Sequence, residues 1–266
     1  MPEFTGKDVQ LLRQASGAGM MDAKRALTET GGDHEAAARW LREKGLGKAD
    51  SRGSRDNTQG AVAISVDGRV AAIVELKCET DFVAKSDGFV AAAQELADAI
   101  AADGEGAVDD FKDAVDDLKI TLKENIEVGQ TVRIDAADGN VLDTYLHRQD
   151  GRGVNAVAVE LAGGTQEVAH DLAVHIAFTK PHYLTRDDVP AEVIDAERQV
   201  LEAQTRQEGK PEAALTKIVD GKLGGWLKEH VLLEQKWVRD EKQTIRDLLD
   251  SAGADLVRFA QVYIGS

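Results

Sequence analysis

Two six-residue stretches 85 positions apart carry nearly the same pattern: Ala71-Ala72-Ile73-Val74-Glu75-Leu76 and Ala156-Val157-Ala158-Val159-Glu160-Leu161. Each follows an apolar run and a turn. The first run is Ala61 to Val66, closed by Asp67-Gly68, a strong short-hairpin signal. The second is Val141 to Leu146, followed by Gln149-Asp150-Gly151-Arg152-Gly153. Each hairpin then leads into a helical pattern. One lies at about 87–102, with Phe89, Val90, Leu96 and Ile100 on one side; the other lies at about 166–179, with Val168, Leu172, Val174 and Ile176. Two related α+β units in tandem account for this. Chance similarity between two buried hairpins is the alternative, because strand motifs are short and degenerate.

The rest of the chain fits around these units. A helix at 111–123 and a strand at 126–135 complete the first. The second carries an insertion. Val193 and Val200 are seven apart, as are Ile194 and Leu201, and Gly209-Lys210-Pro211 breaks the pattern before Leu215, Ile218, Val219, Leu223 and Trp226 resume it. Residues 188–228 therefore read as an antiparallel helical hairpin. A final helix at 241–251 and a strand at 255–264 follow.

Residues 5–45 read differently, as three short helices. Thr5 and Asp8 suit a capping box, Gly17-Ala18-Gly19 ends the first helix, and the second buries some of Met21, Ala23, Ala26 and Leu27. Asp33 caps a third helix through Lys44, which Gly45 ends. So small a core needs support from elsewhere. Residues 46–59 have linker composition, with Leu46 the one large apolar residue. The expected organisation is a module at 1–50, a flexible linker at 51–59, a subdomain at 60–138 and a second at 139–266.

Charge narrows the function. The chain of 266 residues has net charge −16. Residues 1–59 hold 10 basic and 9 acidic side chains, so the acidity belongs to the body. An acidic body argues against direct nucleic-acid binding and against an anionic membrane as partner. No apolar run reaches the ~18 residues of a membrane span, and Met1-Pro2-Glu3-Phe4 does not open a secretory signal, so a cytoplasmic location is expected.

Enzyme chemistry is hard to find. Gly45-Leu46-Gly47-Lys48 is followed by Ala49, so the hydroxyl of a phosphate loop is missing. His170 and His175 are five apart, not four, and the other histidines are scattered. Cys78 is single and sits between Glu75 and Glu79, which oppose thiolate formation. No catalytic residue, metal centre or cofactor is expected.

Glu79-Thr80-Asp81-Phe82-Val83-Ala84-Lys85 puts a large apolar side chain beside an acid between a strand and a helix. Taken locally, Thr80 or Asp81 caps the helix and Phe82 folds back as a staple. Yet the stretch from Glu75 to Ala84 also resembles a motif of bacterial elongation factor Ts. Leu12 to Leu27 resembles the family's first motif, and Leu172 to Pro181 resembles a third segment. Departures are Ser16 for the family's usual Thr, Ala23 for Cys, and Phe178-Thr179 for smaller residues. Longer members carry a C-terminal helical extension; the sequence stops at Ser266, so a partner contact from that extension is not assumed.

The resemblance implies an α+β fold with an N-terminal three-helix ubiquitin-associated-like module, two related subdomains and a helical hairpin. It implies a non-enzymatic guanine nucleotide exchange factor that binds elongation factor Tu, GDP-bound and nucleotide-free, displaces its magnesium and promotes GDP release so that GTP can bind. Carried over, Thr80, Asp81, Phe82 and Val83 dislocate the magnesium. Arg13, Met20, Met21 and Lys24 are partner contacts by resemblance, with Met21 as core and the charges as solvated surface the alternative. His175 sits beside inserted Phe82 or is an ordinary packed histidine. The hairpin serves homodimerisation or is an exposed spur. An adaptor without effect on nucleotide is the competing function, and it has no need of Asp-Phe at 81–82.

Overall fold

The computed structural model describes residues 4–50 and 53–265, with the side chains of 46–50 left out. By its contacts the chain forms two compact units. One holds residues 1–134, 146–156 and 262–266; the other holds 135–145 and 157–261. The architecture is α+β. Among the described residues no helix is long and apolar enough to cross a membrane.

The first unit begins with α1 (Gly6–Ser16), α2 (Met20–Glu29) and α3 (His34–Asp50). The expected capping box is present: the Thr5 N–H donates to Asp8 Oδ2 at 2.6 Å, and the Asp8 N–H donates to Thr5 Oγ1. Gly17 ends α1 in the left-handed conformation, φ 66°. Asp33 Oδ1 accepts from the Ala36 N–H at 3.0 Å and caps α3. The module's core is Val9, Leu12, Ala23, Ala26, Leu27, Ala37 and Leu41.

Contrary to the expectation for Gly45, α3 continues past it to Asp50. A helical glycine costs only about 1 kcal/mol against alanine, so it does not stop a helix by itself. Here it has a packing reason: a Cβ on Gly45 would lie 2.9 Å from Ile120 Cγ1. Of the expected linker, residues 51 and 52 lie outside the described residues, and 53–58 is irregular chain.

Next come β1 (Gln59–Asp67) and β2 (Val70–Cys78), an antiparallel hairpin in register from Gln59↔Cys78 to Asp67↔Val70. A four-residue helix, α4 (Asp81–Ala84), precedes α5 (Asp87–Asp103), α6 (Ala107–Asp110), α7 (Lys112–Leu122) and β3 (Glu127–Asp135). The sheet order is β1-β2-β3. Phe89, Leu96 and Ile100 of α5 and Val74 and Leu76 of β2 fill the core.

Helix α7 is two-sided. Val115, Leu118 and Leu122 join this core. The other face meets the N-terminal module: Ile120 under Gly45, Thr121 within 3.5 Å of a Cβ built on Gly17, and Asp113 and Asp117 paired with Arg42 at 3.0 and 3.5 Å. The module's small core thus leans on α7. The apolar contacts matter more than the ion pairs, since exposed pairs contribute only ~0–1 kcal/mol.

The remaining elements are β4 (Val141–Gln149), β5 (Arg152–Gly163), α8 (Gln166–Thr179), α9 (Ala191–Gln207), α10 (Glu212–His230), β6 (Lys236–Trp237), β7 (Asp240–Thr244), α11 (Ile245–Ala252) and β8 (Ala254–Tyr263). The second sheet has the order β4-β5-β8, and β6 pairs with β7. Helices α9 and α10 form the antiparallel hairpin, burying Leu201, Leu215, Val219, Leu223 and Leu227.

The recurrence is structural as well as sequential. In both sheets a hairpin leads to a long helix and a later strand lies beside the hairpin's second strand. The repeated glutamates, Glu75 and Glu160, are both 1% exposed. Glu75 accepts from the Gln130 N–H at 3.1 Å. Glu160 accepts from the Ala137 N–H, Asn140 Nδ2 and Arg258 Nε at 2.6–2.8 Å. Chance similarity would not place the same buried acid at the same step of the same strand order.

Candidate functional site

The site is the bend between β2 and α5. Strand β2 ends at Cys78, whose buried thiol donates to the Thr80 carbonyl at 3.3 Å. Burial first, and then the charge of Glu124, pushes this thiol up to about 12. The sequence pointed to Glu75 and Glu79 for that effect; in space the opposing carboxylate is Glu124. The thiol is inert for the same physical reason.

Thr80 stands at the N-cap of α4 with extended backbone, and its hydroxyl accepts from the Val83 N–H at 3.3 Å. The same hydroxyl donates to Glu124 Oε1 at 2.5 Å. Glu124 Oε2 takes the N–H groups of Glu79 and Thr80, each at 3.0 Å. Val83 and Ala84 pack against the core of the first unit. The far end is tied by Ser86, whose hydroxyl donates to the Val83 carbonyl at 2.8 Å.

Phe82 points the other way and is 83% exposed. The staple reading fails, because four helical residues present only one face to the core and Val83 and Ala84 already occupy it. Asp81 pairs with Lys85 at 2.8 Å, and that hydrogen bond holds its carboxyl below the usual range. Lys85 is shared with Asp150 at 3.3 Å, so it keeps a partner if Asp81 turns elsewhere. Behind Asp81, buried Arg152 donates to the Gly60 carbonyl at 2.7 Å and adds positive potential that also favours the carboxylate.

In the N-terminal module, Arg13, Met20, Met21 and Lys24 are all exposed, Met20 at 48% and Met21 at 69%. Met21 is therefore not core; Ala23, Ala26 and Leu27 fill that place. His175, in the second unit, is fully buried. Its Nε2 lies 2.9 Å from Gln235 Oε1, and its Nδ1 accepts from the Val238 N–H at 3.4 Å. Burial holds its pKa below the ordinary imidazole value. In this structure it is a packed histidine with no surface to offer.

Sequence reasoning missed Glu124, Lys85, Asp150 and Arg152. Glu124 lies 44 residues from Thr80, and nothing local marks it. Lys85 was legible, since Asp81 and Lys85 are spaced i, i+4 on a helical start.

The first unit thus carries an exposed aromatic on a clamped four-residue helix and, separately, an exposed methionine pair. The family model described as Elongation factor TS matches residues 79–266, more than half of the chain. The chain is also 42% identical over 278 residues to elongation factor Ts of Renibacterium salmoninarum. Identity is 41% to that of Kineococcus radiotolerans and 40% to that of Clavibacter michiganensis subsp. michiganensis, with both chains covered throughout in each comparison. On these matches the chain belongs to the elongation factor Ts family of translation elongation factors.

Proposed function

We propose that this factor is a guanine nucleotide exchange factor for elongation factor Tu, acting in the cytoplasm without a cofactor or a bond-breaking step of its own. It binds the GDP-bound and nucleotide-free partner. Thr80, Asp81, Phe82 and Val83 enter the partner near its magnesium and phosphate site. Arg13, Met20, Met21 and Lys24 of the ubiquitin-associated-like module supply a second contact.

The observation that carries this reading is Phe82. Leaving such a side chain in water forgoes roughly 1.5–3 kcal/mol of burial. A neighbouring residue tied down as firmly as Val83 shows that the exposure does not come from a loose segment. Buried in a partner pocket, an aromatic of this kind contributes roughly 2–4 kcal/mol. Magnesium demands near-ideal octahedral geometry, so a small shift of its ligands costs much of its affinity. Asp81, anionic and half-exposed, is suited to disturb that shell or the groups supporting it. The result is negative coupling: the factor weakens nucleotide binding, and nucleotide weakens factor binding by the same ratio.

The test is release of labelled GDP from elongation factor Tu. Wild type accelerates release; Phe82→Ala slows it without lowering the factor's thermal stability, because the ring packs against little of its own chain. Asp81→Asn impairs exchange more than binding. No acceleration at saturating wild-type protein refutes the exchange reading and favours a plain adaptor.

A further inference from the structure

Two carboxylates bind the Phe82-bearing turn to the turn between α7 and β3, and each accepts from backbone N–H groups of the opposite turn. Glu124 accepts from the N–H groups of Glu79 and Thr80 and from the Thr80 hydroxyl. Glu79 Oε1 in turn accepts from the Asn125 N–H at 2.7 Å. Buried Asn125 extends the bracket by donating to the Arg55 carbonyl at 2.9 Å, and Arg55 pairs with Glu79 at 3.3 Å.

This bracket exceeds what the local fold needs. The β1-β2 hairpin has its own ladder to Gln59↔Cys78, and α4 has its own cap from Thr80 to Val83. What α4 lacks is length: an isolated helix of four residues is far too short to be stable. Its orientation must come from outside, and charge-assisted bonds to backbone N–H groups are the strong, directional kind.

We propose that Glu124, with Glu79 as its reciprocal, is a positioning residue that fixes the Thr80–Val83 segment so that Phe82 stands out in its entering orientation. This rests on the exchange reading. The backbone that carries Phe82 is ordered when the factor folds, so the encounter with the partner does not bear that part of the cost.

The test follows release of a fluorescent GDP analogue from elongation factor Tu against factor concentration, giving a maximal rate and a half-saturating concentration. Wild type is the check on exchange itself: if it fails to accelerate release, the exchange reading falls, whatever the variants do. With wild type active, Glu124→Ala lowers the ratio of the two parameters about tenfold, on the scale of one charge-assisted hydrogen bond. Glu124→Gln recovers most of this, because its amide oxygen still accepts both N–H groups and its NH2 meets the Thr80 oxygen. Glu79→Ala, which removes the reciprocal carboxylate and touches neither the entering side chains nor the α4 cap, is the second variant should Glu124→Ala not fold. The deciding result comes in the Phe82→Ala background, where Glu124→Ala, or Glu79→Ala in its place, adds no more than about threefold, since the chief side chain it positions is gone and only Asp81 and Val83 remain. Losses that simply multiply in the double variant, or a wild-type rate for the single variant, overturn the proposal while leaving exchange intact.

Discussion

Gly129 tests the account of the buried repeat glutamate. A Cβ there would lie 2.2 Å from Glu75 Oε2, 2.8 Å from Cδ and 3.1 Å from Cγ. Carbon and oxygen need about 3 Å or more, so Gly129→Ala forces the carboxylate to move by about 1 Å. That shift breaks the 3.1 Å bond from the Gln130 N–H. Glu75 is 1% exposed, so water does not replace the lost donor. Leaving a buried acceptor without its donor costs about 1–3 kcal/mol. Against this, alanine in a strand regains about 0.5–1 kcal/mol over glycine. The net is a destabilisation of about 1 kcal/mol, read as a lower midpoint in urea unfolding. The control is the double variant with Glu75→Ala. Removing the carboxylate opens the space, so Gly129→Ala then costs little, and the two sites show a coupling of about 1–2 kcal/mol. The same cost for Gly129→Ala in both backgrounds would refute the reasoning, because the loss would then lie in the backbone and not in the glutamate.

Two further changes probe the repeat partner and the α7 terminus. At Glu160, burial works to raise the pKa, but the Ala137 N–H, Asn140 and Arg258 outweigh it and hold the group below its ordinary 4.5. A depressed folded-state pKa gives stability that is present above the unfolded value and lost as pH falls through the folded one. Glu160→Gln therefore costs most near neutral pH, and its deficit in urea midpoint narrows below about pH 4.5; a constant deficit across that range would contradict this. Lys123 ends α7 at φ 61°, a left-handed conformation that favours glycine. Lys123→Gly relieves about 1 kcal/mol of backbone cost, less a similar or smaller entropic loss in the unfolded chain. Its thermal midpoint is equal to or above that of wild type, and a clear drop would show that the lysine side chain matters more than its backbone.

Much of the local structure was written in neighbouring residues. The Thr5-Asp8 box, the Asp67-Gly68 turn and the Gly17 stop are short-range devices, and each is where its residues place it. The failures are long-range. The final helix does not start at 241: residues 240–244 are strand β7, held by pairing Lys236↔Thr244 and Trp237↔Asp240. Asp240 to Thr244 has no apolar alternation, so only its partner reveals it. The true start was still legible, because Thr244 and Asp247 form a capping box at 2.9 Å. Gly45 was misread because its use is to admit Ile120, a residue 75 positions away. At the candidate site, the family resemblance points to Thr80 to Val83, while no neighbouring residue sets the direction of Phe82. That direction depends on Glu124, which no local pattern connects to it.

The two-sidedness of α7 gives these parts a common mechanical logic. Val115, Leu118 and Leu122 root the helix in the first unit's core. Asp113, Asp117, Ile120 and Thr121 carry the N-terminal module on the opposite face. Directly after its last turn, Glu124 grips the Thr80 segment. One helix of 11 residues thus supports the module that carries the methionine pair and the segment that carries Phe82. On the exchange reading this matters energetically. An aromatic that disturbs a ligand shell must be pushed against the affinity of that shell, and only differential contacts can shift the equilibrium. Contact energy gained by Met20 and Met21 can oppose nucleotide only if it reaches Phe82 through a body that does not yield. A module on a slack tether would raise affinity alone. A module seated on α7, with Glu124 at the end of the same helix, can turn that affinity into displacement.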